Sequence, residues 1–245
     1  MLPAVFAVFL ALAPQSSERM DYVLSQLVRN GFSRQEAEAF FRDPRLKLYP
    51  TRIVQPRKID WDKIIARLVS PASVKRGKDF LLQHHGPLLA AEEKFGVPKE
   101  VIAALLGLES NFGKNTGSYT TFNIFYTSLM RREEEKRWKW AGDNLASLAA
   151  YCRNINSDCF EIQGSYGGAL GPAQFLPQSV ENFGYDGNGD SLVNPFDIHD
   201  AIFSAANFLV KHGWHEGHAK ALGRYYGSSQ GYPRAVLAYA EAIQQ

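Results

Sequence analysis

The sequence has little of several features that would assign it to a specialised class. It holds only 2 cysteines in 245 residues, so it is not a disulfide-dense scaffold. No histidines accompany those cysteines at the spacing of a zinc site. The formal net charge of +2 is too small to attract nucleic acid by bulk electrostatics. No stretch reaches the roughly eighteen apolar residues of a membrane span. We therefore expect neither a nucleic acid partner nor a stable membrane span.

Strand patterns and internal repeats are also scarce, which favours a helical fold. Charged residues alternate with apolar ones at helical spacing over four segments, 18–43, 60–69, 71–95 and 131–151. Residues 46–59 contain two prolines and little periodicity, so we expect an extended connector there. With 45% hydrophobic residues, the chain is large enough to bury a core. We predict a mainly α fold with at most a small β element.

The N-terminal residues 1–13, MLPAVFAVFLALA, are similar to the apolar part of a secretory signal. No Lys or Arg precedes the apolar run, and Pro14 would follow the cleavage site, an awkward position. The alternative is an apolar helix that docks on the fold. We expect a signal peptide over 1–17 and a periplasmic or secreted protein.

The two cysteines, Cys152 and Cys159, are seven positions apart. In an exported protein they could close a short disulfide, whereas in a reducing compartment they would be two buried small residues. Their spacing leaves both possibilities open. A disulfide needs Cα atoms within about 7 Å of each other, and two residues seven positions apart at a helix end can be closer or farther than that.

The stretch VPKEVIAALLGLESNFG, residues 97–113, is predicted to be a buried helix, with Pro98 in its first turn and Gly113 at its end. One face of this helix carries Ile102, Leu105, Leu106 and Glu109. Burial disfavours the charged form of a carboxyl and raises its pKa, and a neutral carboxyl near pH 7 can act as a general acid. The alternative is a glutamate at the edge of the apolar face, salt-bridged or reaching water.

A second motif, GSYGGALGPAQFLP at residues 164–177, combines glycine and proline with Ser165, Tyr166 and Gln174. Glycine lets a backbone approach a ligand closely. Serine, tyrosine and glutamine both donate and accept hydrogen bonds. The pattern predicts contacts with a polar substrate, and the alternative is a structural turn before a helix.

A third motif, DGNGDSLVNPFD at residues 186–197, has the oxygen spacing of an EF-hand loop. The predicted calcium ligands at positions 1, 3, 5, 7 and 12 are Asp186, Asn188, Asp190, the Leu192 carbonyl and Asp197. Ser191 replaces the usual glycine at position 6, and Asp197 replaces the usual glutamate. Asp200 is expected to cap the helix that follows. The alternative is a metal-free turn rich in Asp and Asn.

With these motifs in place, the chain resembles the lytic transglycosylases of the membrane-bound transglycosylase B family, which cleave peptidoglycan and have a lysozyme-like fold. The resemblance covers roughly residues 70–243. It rests on RGKDFLLQHHGPLLAAEEKFGVP, GLESNFGKNTG, GSYGGALGPAQFLP, DGNGD with FDIHDAIFSAANFL, HGW at 212–214 and ALGRYYGSSQGYPRAV. It implies one lysozyme-like domain over 18–245, with a helical extension over 18–69 and a catalytic core over 70–245.

The resemblance also implies roles for individual residues. The family's catalytic acid falls on Glu109, its motif serine on Ser165 and its substrate-contacting glutamine on Gln174. Its calcium loop falls on the five ligands named above, so Ca²⁺ is the expected structural cofactor and no organic cofactor is expected. The other expected substrate contacts are Tyr119, Tyr166, Phe175, Tyr225 and Tyr232.

The chain departs from the family pattern in three places. Asn111-Phe112 stands where the family usually has an aromatic pair, and Tyr226 stands where it usually has an asparagine. Tyr232 is displaced by one residue relative to the family's tyrosine. If that asparagine helps to bind substrate, Tyr226 cannot copy its hydrogen bonds.

The reaction implied is cleavage of the bond between N-acetylmuramic acid and N-acetylglucosamine, with formation of 1,6-anhydromuramyl ends. Glu109 would act first as acid and then as base. The expected partner is the peptidoglycan glycan strand, and the expected state is a monomer. Two alternatives remain at this point: a lysozyme-type hydrolase on the same fold, and a non-catalytic module that binds cell wall or chitin.

Overall fold

The computed structural model describes residues 14–50, 59–227 and 230–245. The apolar run 1–13 and residues 51–58 of the predicted connector lie outside this range, and the first helix begins at Pro14, inside the predicted signal segment. The described residues form twelve helices and a single two-stranded sheet, which confirms the mainly α prediction. None of these helices has the length and apolar character that crossing a membrane requires.

The helices follow one another in the order α1 (Pro14–Arg29), α2 (Arg34–Phe40), α3 (Trp61–Leu68), α4 (Pro71–Gln83), α5 (His85–Phe95), α6 (Lys99–Ser110), α7 (Thr121–Arg131), α8 (Glu135–Asn154), α9 (Pro177–Phe183), α10 (Ile198–Lys211), α11 (His218–Tyr225) and α12 (Gly231–Gln244). Strands β1 (Tyr119–Thr120) and β2 (Gln163–Gly164) pair antiparallel, with Tyr119 opposite Gly164.

Two helix boundaries differ from the sequence prediction. The segment 71–95 forms two helices, because Pro87 has no N–H to donate to the carbonyl of Gln83 in a continuous helix. The helix 97–113 ends early: Asn111 adopts a left-handed conformation with φ 51° and donates its N–H to the Gly107 carbonyl. Asparagine tolerates this conformation better than most residues, so it ends α6 before Gly113 is reached.

Helix α6 lies in the middle of the core and packs against α12, α4, α10 and α5. Its residues from Glu100 to Leu106 are all buried. Gly107 allows close packing near its C-terminal end, because a Cβ atom there would lie 2.7 Å from the Phe112 ring and 2.8 Å from the Tyr239 ring. Glu109 is therefore carried by a helix that neighbouring elements hold on most sides.

The N-terminal helices are part of the same packed body. Helix α1 packs against α8, and α3 packs against α12. Cys152, in the last turn of α8, forms a disulfide with Cys159, and their Cα atoms are 5.5 Å apart. This bond joins the end of α8 to the segment that leads to β2. Of the two possibilities that the sequence left open for the cysteines, the structure has the disulfide.

Candidate active site

A groove of about 550 Å³ opens where α3, α6, the glycine-rich motif and the junction of α11 with α12 meet. Its described lining is rich in aromatic and apolar side chains and contains one carboxylate. The lining residues are Ile59, Trp61, Ile64, Arg67, Leu108, Glu109, Ser165, Tyr166, Gly167, Ala169, Gln174, Tyr225, Tyr226 and Tyr232.

The single carboxylate is Glu109, in the last turn of α6. Its Oε1 accepts a hydrogen bond of 2.5 Å from the Tyr232 hydroxyl. Burial raises the pKa of Glu109 from 4.5 to about 7, and the bond from Tyr232 opposes that rise. Close to neutral pH, a substantial fraction of the carboxyl groups thus carries a proton that can be donated.

Tyr232 is held in a cluster of aromatic rings. It lies in the first turn of α12 and is fully buried. The ring of Tyr226 is parallel to it at 5.0 Å, and the ring of Tyr225 is parallel at 6.2 Å. Trp61 of α3 meets Tyr232 edge-on at 6.1 Å. The Tyr225 hydroxyl donates to the Ala173 carbonyl at 2.6 Å, which ties the cluster to the glycine-rich motif.

The glycine-rich motif forms a tight turn at the edge of the groove. The Ser165 carbonyl accepts from Gly168 N at 2.9 Å, and the Ser165 hydroxyl accepts from Ala169 N at 3.1 Å. A hydroxyl that accepts one bond can still donate its own proton. Gly164 is required by close packing, because a Cβ atom there would lie 2.6 Å from the Ala169 carbonyl oxygen.

Gln174 adopts a left-handed conformation with φ 52°, and its Nε2 donates to the Gly171 carbonyl at 2.9 Å. A non-glycine residue in this region of dihedral space is uncommon and costs energy. Tyr166 of the same motif is 56% exposed, so its ring is open to a ligand. Both side chains, which the sequence predicts to be substrate contacts, line the groove.

The structure does not bring every predicted contact residue into the groove. Phe175 is buried and packs against Phe208 and Tyr225, so it contacts the aromatic cluster from inside the core. Tyr119 lies in β1 and packs against Tyr49, outside the groove lining. Both residues sit in or beside motifs of the resemblance, but a motif does not specify which way each side chain points.

Sequence reasoning missed the contribution of α3, which supplies Trp61, Ile64 and Arg67 to the lining. These residues precede the part of the chain that carries the resemblance, and their spacing is that of any amphipathic helix. The sequence shows Tyr226 only as a departure from the family pattern, whereas the structure places it in the groove lining.

The predicted calcium loop is closed largely by hydrogen bonds to its own backbone. Asp186 accepts from the amides of Gly189, Asp190 and Ser191 at 2.7 to 3.2 Å. Ser191 adopts φ 72°, the conformation that the usual glycine at position 6 would supply. Asn188 Nδ2 donates to Asp190 Oδ2 at 3.1 Å. The first half of the loop therefore has the turn of an EF-hand.

The second half of the loop differs from the prediction. Asp197, and not Asp200, caps α10: its Oδ1 accepts from His199 N and Asp200 N. Asp200 is fully buried and accepts from the amides of Gly187, Asn188 and Asn194. Within the described residues, no group of three or more His, Cys, Asp or Glu side chains is arranged to hold a metal ion. The side chain at position 12 of the loop is thus engaged with α10, and calcium binding by this loop stays a prediction.

The fold and sequence have clear relatives. The chain is 27% identical over 221 residues to membrane-bound lytic murein transglycosylase B of Escherichia coli (strain K12), and the match covers 85% of this chain and 60% of that protein. The soluble lytic transglycosylase SltB1 of Pseudomonas aeruginosa superposes with a TM-score of 0.80 at 24% identity, covering 92% of this chain and 98% of that one.

A structure of the Escherichia coli lytic transglycosylase Slt35 in complex with calcium superposes with a TM-score of 0.82 at 21% identity, covering 96% of this chain and 94% of that one. At these identities the superpositions establish the lysozyme-like fold. The sequence-family model for the transglycosylase SLT domain matches residues 15–228 of this chain. Because this match covers most of the sequence, the chain belongs to the transglycosylase SLT domain family.

Proposed function

We propose that the chain is a lytic transglycosylase that cleaves the bond between N-acetylmuramic acid and N-acetylglucosamine in peptidoglycan and leaves 1,6-anhydromuramyl ends. The observation that carries the proposal is a single carboxyl group, Glu109, with a pKa raised to about 7 in an aromatic-lined groove. Glycosidases that use water usually need two carboxylates beside the scissile bond. The described groove lining offers one.

In the proposed reaction Glu109 acts twice. Its neutral carboxyl donates a proton to the glycosidic oxygen while the bond from that oxygen to muramyl C1 breaks, through an oxocarbenium-like transition state that the substrate's own N-acetyl group can assist. The resulting carboxylate then takes the proton of the muramyl 6-hydroxyl, and the 6-oxygen bonds to C1. Glu109 ends as it began, protonated, and no water is consumed.

The surrounding side chains support this assignment by their chemistry. Tyr232 donates a hydrogen bond to Oε1 of Glu109, which leaves the other carboxyl oxygen able to address the substrate. Ser165 and Gln174 offer hydrogen-bonding groups for the N-acetyl and hydroxyl groups of the sugars. The exposed ring of Tyr166 offers an apolar face to a sugar ring. We propose that these residues bind the glycan strand on either side of the scissile bond.

The products of digestion test the proposal. Purified sacculi incubated with the protein should release muropeptides that are lighter by one water than those with reducing ends, as measured by mass spectrometry. Products with reducing ends would identify a lysozyme-type hydrolase instead. Binding to sacculi without release of any muropeptide would identify a non-catalytic wall-binding module.

We also propose that the loop 186–197 binds one structural calcium ion through Asp186, Asn188, Asp190, the Leu192 carbonyl and Asp197. The conformation of Ser191 and the grouping of the first three side chains favour it. Asp197 Oδ1 already caps α10, so its other oxygen would be the ligand. A bound cation would offset the repulsion between the loop carboxylates, and no step of the reaction involves it.

We propose further that the protein acts in the cell envelope. Disulfides persist in oxidising compartments, and Cys152 and Cys159 are both buried and paired. Protein isolated from the periplasm should therefore contain no free thiol when titrated under denaturing, non-reducing conditions. Two free thiols in this protein would reject the disulfide and remove its support for the proposed location.

A further inference from the structure

Tyr226 occupies the position where the resemblance leads to an asparagine, and its surroundings give it a different role. Its ring is parallel to that of Tyr232 at 5.0 Å, with an angle of 8° between the planes. The indole of Trp61 meets Tyr226 edge-on at 5.5 Å. Tyr226 is 45% exposed, so it forms the outer layer of the aromatic cluster beside the groove.

The ring of Tyr232 has two parallel neighbours, Tyr226 and Tyr225. Trp61 meets it edge-on, and the indole approaches closely because residue 231 is glycine: a Cβ atom there would overlap it. These three rings hold the buried ring of Tyr232 in the orientation that points its hydroxyl at Glu109. An asparagine at 226 has no ring to stack and would remove one of these contacts.

We infer that Tyr226, together with Trp61, is a positioning residue that keeps the Tyr232 hydroxyl on Glu109 and thereby fixes the orientation of the reacting carboxyl. This inference rests on the proposed function. Orientation matters because a misplacement of about 1 Å in a catalytic group can cost about a hundredfold in rate. The chain thus replaces a polar side chain with an aromatic support for its single acid and base.

The pH dependence of activity reports this arrangement. The titratable groups that face Glu109 are Tyr225, Tyr226 and Tyr232, and burial raises the pKa of all three phenols, so they stay neutral near pH 7. The guanidinium group in the lining of the same groove belongs to Arg67. The carboxyl must be protonated to start the reaction, so activity falls as pH rises through the pKa of Glu109. Losing the hydrogen bond from Tyr232 raises the pKa of Glu109 further. The fall in activity at basic pH, which is the basic limb of the pH profile, then moves to higher pH.

The test compares Tyr226→Phe, which keeps the ring, with Tyr226→Ala and Tyr226→Asn, which remove it. On sacculi, we expect Tyr226→Phe to restore the kcat and the pH profile that the ring-removing variants lose, because it keeps the stacked ring. The other two should lower kcat by about tenfold to a hundredfold and move the basic limb upward. In a Tyr232→Phe background, Tyr226→Ala should have little further effect on kcat, because the bond through which it acts is already absent.

A second measurement does not depend on turnover. The pKa of Glu109 can be followed by NMR of protein labelled with ¹³C at the glutamate carboxyl, with the signal assigned by its loss in Glu109→Gln. Tyr226→Ala should raise this pKa, and Tyr226→Phe should leave it unchanged. If the wild type releases no anhydro products, the proposed function fails while this measurement still tests the positioning role.

Three results would overturn the inference. Tyr226→Ala could raise KM with kcat and the basic limb unchanged, which would make Tyr226 a sugar contact only. Its effect on kcat could add in full to that of Tyr232→Phe. The pKa of Glu109 could be the same in the wild type and in both ring-removing variants. Melting temperatures of all variants identify any that lose activity through unfolding.

Discussion

Two carboxyl groups, the partly buried Glu109 on α6 and the fully buried Asp200 on α10, have opposite surroundings. Glu109 accepts one hydrogen bond, from a phenol, and its carboxyl reaches the groove. Asp200 accepts three, all from backbone amides of one loop. Burial raises the pKa of both groups, and the amides oppose the rise at Asp200. Burial alone therefore does not make a catalytic acid: the carboxyl also needs few donors and access to the substrate.

The largest effect we expect comes from removing the carboxyl of Glu109. Glu109→Gln keeps the shape of the side chain and loses the transferable proton, so release of muropeptides should fall by about two to four orders of magnitude. Glu100→Gln is a matched control, because Glu100 is on the same helix but pairs with Lys99 at 3.0 Å. Release by Glu109→Gln at the wild-type rate would refute the assignment.

The same substitution should increase the stability of the fold although it lowers activity. The pKa of Glu109 is about 7 in the folded protein against an ordinary 4.5. Between these values the folded state binds more protons than the unfolded state, so the free energy of unfolding falls as pH rises. Glutamine cannot ionise, and Glu109→Gln should be more stable than the wild type by up to about 3 kcal/mol above pH 7 and by little at pH 4.

Asp200→Ala provides the contrast for that measurement. It leaves three loop amides without their acceptor, so it should lower the free energy of unfolding by about 1–3 kcal/mol or more at neutral pH. Urea unfolding of both variants at pH 4 and pH 8 tests the comparison. A stability difference between Glu109→Gln and the wild type that does not change with pH would mean that the pKa of Glu109 is ordinary.

Calcium should stabilise the loop 186–197 by no more than the other effects named here. A ligand that binds only the folded state stabilises it by about 2.7 kcal/mol at one hundred times its dissociation constant. Calcium should raise the melting temperature of metal-stripped wild type, and Asp186→Ala should remove most of the rise. An identical melting curve in millimolar calcium and in chelator would make the loop a turn closed by its own amides.

The course of α6 shows how far the sequence alone leads. The spacing of Ile102, Leu105 and Leu106 predicted a buried helix, and all three are fully buried. The same spacing predicted that burial would raise the pKa of Glu109, and it does. The end of the helix was misjudged, because Asn111 takes a conformation that is more common for glycine. Periodicity specifies a buried face but not the residue at which a helix stops.

The sequence by itself determined the helical class and the family and singled out Glu109 as the candidate acid, because these depend on local spacing and on motifs that are contiguous in the chain. Only the tertiary structure decided that Trp61 and Tyr226 line one groove with Glu109, that Phe175 is buried and that Asp200 closes the loop. Trp61 and Glu109 are far apart in the chain and reach the same groove because α3 and α6 both pack on α12. The placement of distant residues in one site depends on the packing of whole helices, which no local pattern specifies.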